Sequence, residues 1–301
     1  MGWSSLANAS QAVAIGIDAK GIGVDSMAFG SHANSSGERA VAIGRTSVSS
    51  GDSAVAIGWS SLANASQAVA IGVDSKASGV DSMAFGSHAN SSGEKAVAIG
   101  RASLANASQS MAMGLQSQAT GVDSMAFGSH ANSSGEKAVA IGRTSVSSGD
   151  GAVAMGWSSL ANASQAVAIG IDSKASGVDS MALGSHANSS GEKAVAIGRA
   201  SLANATQAMA MGVQSKASGV NAIAFGANSN ASNETTIAIG VNSLASGINT
   251  VALGQGSKAT DYSAMAFGLG ANSSGRYSIA IGQDTKAAIE HSIAMGYSAN
   301  A

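Results

Sequence analysis

Four histidines, His32, His88, His130 and His186, each stand in the same local setting, Ser-His-Ala-Asn-Ser. Asp18, Asp74 and Asp172 precede three of them by fourteen residues, and Gln116 precedes His130 by the same interval. Imidazole and carboxylate brought together are typical zinc ligands and acid–base partners. If several copies of the chain stand around one axis, each His meets its own copies. Three imidazoles with an open fourth position form a known zinc arrangement. The competing use is plainer: one hydrogen bond from each His to the neighbouring repeat. Charges recur at the same interval, with Asp25 before Arg39, Asp81 before Lys95, Asp123 before Lys137 and Asp179 before Lys193. Stacked residues at this offset would form a ladder of exposed ion pairs, each worth ~0–1 kcal/mol, that fixes register. A polar ligand groove is the alternative. Arg45 and Trp59, like Arg143 and Trp157, also stand fourteen apart, an offset that suits a cation–π contact of ~0.5–1 kcal/mol. No catalytic residue, cofactor or enzyme is expected. The chain has no Cys nucleophile, and its spaced glycines lack the Gly-Lys-Ser/Thr ending of a phosphate loop.

What positions these residues is a strict repeat. Glycine stands at position 2 and at every fourteenth residue to Gly296, so 22 of the 39 glycines belong to one series. Gly16, Gly44, Gly58, Gly72, Gly100 and Gly142 are examples, read here as turn residues that end a strand. From residue 14 onward, the residue two before each of these glycines is Ala, flanked by larger apolar residues, as in Val41-Ala42-Ile43-Gly44. Alternation with period two, rich in Val and Ile, predicts a strand. A second strand is predicted where small residues flank a variable one, as in Ser47-Val48-Ser49. Thirteen further glycines, such as Gly37 and Gly93, are expected to turn the chain after it. Fourteen residues per coil without insertion predict a parallel β-solenoid of about 21 coils, stacked ~4.8 Å apart over roughly 100 Å.

The alternation also assigns faces. Ala14, Ala42, Ala56, Ala70, Ala98 and Ala140 are expected inside a narrow coil that admits no larger side chain. Val13, Ile15, Val41, Ile43, Val55, Ile57, Val69, Ile71, Val97, Ile99, Val139, Ile141, Val167, Ile169, Val195 and Ile197 would then point outward as two apolar stripes. So much exposed apolar surface exceeds what a soluble monomer tolerates. A parallel homo-oligomer, dimer or trimer, would bury it around an axis along the stack. The reverse arrangement, with Val and Ile inside, leaves the unvarying Ala unexplained.

Composition excludes several classes. Charged residues make up 11% and net charge is −2, so a basic nucleic-acid-binding surface is not expected. Pro and Cys are absent, which removes collagen and disulfide scaffolds. No apolar run is long enough for a membrane-spanning helix, and no signal peptide opens the chain.

Ser-Gly-Glu-Lys-Ala-Val-Ala-Ile-Gly (92–100) and Asn-Ala-Ser-Gln-Ala-Val-Ala-Ile-Gly (64–72) resemble the head repeats of YadA-like trimeric autotransporter adhesins. The resemblance extends over essentially all of the sequence. It implies a left-handed β-roll, three chains side by side and a Gram-negative surface location. It also implies adhesion to host cells, extracellular matrix or other bacteria. Membrane attachment would come only through an anchor outside this chain, since neither a heptad stalk nor an anchor barrel is present. The sequence is expected to be one continuous head segment, 1–301, cut from a longer fibre. Near-identical cassettes fill 1–212, and more diverse coils follow over 213–301. Copying of whole coils favours reach, so a passive spacer that projects another adhesive domain is the second reading.

Overall fold

The computed structural model describes residues 2–301, which form two compact units, 2–151 and 152–301. Both are built from the same fourteen-residue coil. The described residues form a parallel β-solenoid of about 21 turns and contain no helix. Each coil contributes a three-residue strand, such as Val41–Ile43 or Val195–Ile197. It also contributes a two-residue strand, such as Asn34–Ser35 or Asn188–Ser189. Within each unit a strand pairs in parallel with its equivalent one coil away. Val41, Ala42 and Ile43 face Val55, Ala56 and Ile57, and Val195, Ala196 and Ile197 face Met209, Ala210 and Met211. No slippage is tolerated, because a one-residue shift would turn the apolar residues inward and the alanines out.

Counting each coil from the residue after its invariant glycine, positions 3, 5, 10 and 12 fill the interior. Nearly all are Ala, Ser or Thr, and nearly all are fully buried, as in Ser47, Ser49, Ala54 and Ala56. Ala14, Ala42, Ala56, Ala70, Ala98 and Ala140 all lie in this interior. Most buried hydroxyls bond to backbone, although Ser273 and Ser278 Oγ lie 2.6 Å apart and Ser26, Ser82, Ser124 and Ser180 Oγ have no partner. Ser47 Oγ donates to the Gly44 carbonyl at 3.0 Å, and Ser49 Oγ donates across the coil to the Ala54 carbonyl at 2.8 Å. The second type of bond ties the two strands of one coil together through the interior. Such a core gains little from large apolar groups. Its cohesion comes from close packing and from satisfied backbone.

The turns differ from the sequence-based expectation. Each coil has two, and each has a left-handed residue at its third place, the pattern of a type II turn. The left-handed residues stand at positions 2 and 9, and nearly all are non-glycine: His88 at φ 58°, Lys95 at 54°, Ala102 at 56° and Gln109 at 57°. The glycines at position 7, expected to supply positive φ, do not have it. Stacking requires them instead: a Cβ on Gly93 would lie 1.9 Å from the Ala107 carbonyl oxygen one coil on. The glycines at position 14 meet both demands. They have φ of 118–144°, and a Cβ on Gly100 would lie 2.4 Å from the Gly114 oxygen. The turn residues are held by the stack itself, since His88 N–H donates to the Val73 carbonyl and Lys95 N–H to the Val80 carbonyl, both at 2.8 Å. With strands and turns both donating to neighbouring coils, Pro has no place in this chain.

Candidate functional site

Because the interior is closed by small side chains, everything chemically distinctive lies on the outer faces and the two turn edges. The outer face of the three-residue strands is apolar. Val13, Val41, Val55, Val69, Val97, Val139, Val167 and Val195 are half-buried there. Ile15, Ile43, Ile71 and Ile169 are exposed, Ile43 at 39%, and Ile57, Ile99, Ile141 and Ile197 are half-buried. The apolar surface is wider than two stripes. It continues onto position 1 of one turn, with Ile17, Trp59 and Ile171, and onto position 8 of the other, with Val24, Val80 and Val178, all exposed. Sequence reasoning overlooked these flanking rows because the apolar residues in them alternate with Arg, Ser and Glu.

The four histidines sit at position 2, on the turn edge rather than on the apolar face. Each takes the left-handed conformation, with φ between 56° and 59°. His32 Nδ1 lies 3.6 Å from Asp18, and His88 and His186 Nε2 lie 3.5 Å from Asp74 and Asp172. Ser87, Ser129 and Ser185 hydroxyls each lie 2.7 Å from Nδ1 of the adjacent His. Two of the three pairs, Asp18–His32 and Asp172–His186, border shallow grooves over the two-residue strands. One groove of about 850 Å³ includes Asp18, Lys20, His32 and Asn34, and a smaller one in the second unit includes Asp172, Lys174, His186 and Asn188. Among the described residues, no three His, Asp, Glu or Cys side chains converge in a metal-binding arrangement.

The expected ion-pair ladder is corrected by the structure. Arg39, Lys95, Lys137 and Lys193 do not pair with Asp25, Asp81, Asp123 and Asp179 one coil earlier. Each instead turns to the preceding Glu: Arg39 to Glu38 at 3.4 Å, Lys95 to Glu94 at 3.4 Å, Lys137 to Glu136 at 3.1 Å and Lys193 to Glu192 at 3.3 Å. The cause is geometric. Position 9 is left-handed, so adjacent side chains at positions 8 and 9 meet on the outside of the turn. Glu136 raises the Lys137 ammonium above its ordinary value, first by its hydrogen bond and then by its charge, and Asp123 contributes least. All eight side chains in these pairs are largely exposed, so the pairs add little stability.

Two aromatic contacts stand out. Arg45 Cζ lies 6.0 Å from the Trp59 ring centroid, as the fourteen-residue offset suggests. In the second unit, Arg276 lies between Tyr262 and Tyr277, at 5.3 and 5.1 Å. His291, which belongs to no set in the sequence, stacks on Tyr277 with centroids 5.1 Å apart and planes at 5°. Tyr277 and His291 stand fourteen apart at position 9, a signal present in the sequence but diluted by the diversity of these last coils.

No helix among the described residues is long and apolar enough to cross a membrane. No curated protein matches the chain. The YadA head domain repeat matches in successive segments, most of them overlapping, between residues 22 and 299, each spanning about two coils. The matched spans take in the invariant Gly series, the Val-Ala-Ile strands and the second turn, the features that build the solenoid. On that match, the chain belongs to the YadA head family of trimeric autotransporter adhesins.

Proposed function

We propose that this chain is the head segment of a bacterial surface adhesin, attaching cells to host tissue, extracellular matrix or other bacteria. It would work as a parallel, side-by-side homotrimer of left-handed rolls forming one continuous segment, on the bacterial surface, with outer-membrane anchorage supplied elsewhere. The observation that carries this reading is the family match along nearly the whole chain. The unpartnered apolar face supports the trimer, since residues such as Ile43 and Ile15, still 39% and 44% exposed, would gain roughly 1 kcal/mol each on burial against sister chains. No resident metal or cofactor enters this reading, and no chemistry is assigned to the histidines beyond their contacts with neighbouring coils.

Adhesion would use the outward polar surface: the grooves bordered by His32 and His186, and the Tyr262–Arg276–Tyr277 cluster. Tyr and Arg are the residue types that most often carry binding energy at protein surfaces. A solid-phase assay with the isolated chain on matrix proteins and on cultured cells tests this. Saturable binding at micromolar concentration is expected. Binding to none of these surfaces, while the rest of the parent fibre keeps adhesion, would move this segment to the second reading, a spacer. The spacer reading has its own support in the copied cassettes, such as Val-Asp-Ser-Met-Ala-Phe-Gly at 24, 80 and 122, which add coils without new surface chemistry.

A further inference from the structure

Twelve of the 17 asparagines begin an Asn-x-Ser/Thr sequence, and all nine in 1–212 do so. This is the acceptor pattern for N-linked sugars, and a chain without Pro never blocks it at the middle residue. Differences between copies keep the pattern. Asn204-Ala205-Thr206 has Thr where the other four copies of Leu-Ala-Asn-Ala continue with Ser. Asn230-Ala231-Ser232 changes only the middle residue.

The coil sorts these asparagines into two sets. Asn34, Asn90, Asn132, Asn188, Asn230 and Asn272 stand at position 4, within the two-residue strands, and all are half-buried. The Oδ1 atoms of Asn34, Asn90 and Asn230 are closed off from solvent. Asn8, Asn64, Asn106, Asn162 and Asn204 stand at position 6, just beyond those strands, and all five are exposed. Their side-chain amides have no hydrogen-bond partner among the described residues. Asn233, the twelfth, instead donates its amide to the Ser246 carbonyl.

Position 6 suits an acceptor. It lies where the chain leaves a strand for a turn, the kind of surface segment in which this sequence pattern is used. Positions 6 and 8 are both outside the coil, so one enzyme pocket can meet the amide and the hydroxyl together. The backbone is also looser there. Position 7 is Ala only in these five coils. The strand-end bond from the Asn N–H is 3.2–3.3 Å at Asn64, Asn106, Asn162 and Asn204, against 2.9 Å at Ser78, Ser92, Ser176 and Ser190. Because position 6 lies on the face away from the apolar strands, the sites stay open whether or not chains assemble.

We infer that Asn8, Asn64, Asn106, Asn162 and Asn204 are acceptor sites for N-linked hexose, delivered from a nucleotide-activated sugar by a separate transferase. The amide Nδ2 forms a bond to the anomeric carbon of the sugar. The bond from that carbon to the diphosphate oxygen breaks, the nucleoside diphosphate leaves with the electron pair, and a base of the transferase takes the amide proton. Within the first unit the sites are four and three coils apart, so sugars would follow one another every ~14–19 Å along one face.

The full folded chain, incubated with UDP-glucose and a soluble asparagine glycosyltransferase, tests this. Electron-transfer fragmentation of its peptides leaves each sugar on its own residue. One hexose is expected on each of the five asparagines and none on the position-4 set, whereas peptides cut from the chain beforehand should accept hexose at both sets. The inference is overturned by a folded chain without hexose, by one labelled equally at both sets, or by peptides that show the same preference as the folded chain. Ser108→Ala should remove the sugar from Asn106 and leave the other four, and Ser108→Thr should keep it. Sugar that persists on Asn106 in Ser108→Ala contradicts the recognition. The chain recovered from the cells that produce it should carry hexose on the same five residues, and finding all five bare overturns the inference as well.

Discussion

A buried hydroxyl in this coil is useful only where it reaches a carbonyl. Ser91 Oγ donates across the interior to the Ala96 carbonyl at 2.8 Å, whereas Ser82 Oγ is buried with no partner. Ser91→Ala should therefore destabilise by about 0.5–1.5 kcal/mol, and Ser82→Ala should be neutral or stabilising. Hydrogen exchange of the amides in the two coils distinguishes them. At position 2, Ala102 is held at φ 56° without any compensating side-chain bond. Ala102→Asn should stabilise by about 0.5–1 kcal/mol, because Asn accepts the left-handed region more readily than Ala. The melting curve of the variant checks this. The interior alanines were legible in the sequence, because only a closed interior keeps one small residue at every coil. The left-handed residues were not. Positions 2 and 9 accept His, Lys, Thr, Ala and Tyr, since the demand comes from hydrogen bonds to the adjacent coil rather than from residue preference.

The coil itself is governed by how closely its neighbour approaches. Ala replaces Gly at position 7 in five of the cassette coils, as at Ala65 and Ala107, and the chain adapts. The strand-end bond there lengthens, from 2.9 Å at Ser92 N–H to 3.2 Å at Asn64 and 3.3 Å at Asn106. Position 14 has no such precedent, because positive φ and the next coil's carbonyl both oppose a side chain. Gly100→Ala should accordingly cost several times more than Gly93→Ala, with local protease cleavage at 100 but not at 93. Strand placement and coil length were readable from period-two alternation and the unbroken Gly spacing. Ion-pair partners were not, because a fourteen-residue offset gives backbone neighbours but not the direction in which a turn side chain points. Lys95 stands one coil from Asp81, yet its ammonium meets Glu94.

At the scale of the molecule, low charge and few aromatics, 11% and 4%, fit a chain whose interior is Ala and Ser and whose larger apolar residues face outward. Such a surface is stable in water only when covered. Ile43→Asp should dissociate or aggregate the assembly, since the carboxylates of all copies would meet in a region with no water. Light scattering during purification reads this directly. The apolar face was legible in the sequence through Val41 and Ile43. The flanking rows became visible only when the coil placed Ile17 and Val24 beside it on opposite edges. The central claim is that this face is closed by sister chains. Sedimentation equilibrium of the unmodified chain tests it most directly. The account predicts a single species with the mass of three chains of 29.0 kDa, unchanged on dilution to nanomolar concentration. A stable, soluble species of 29.0 kDa would contradict it.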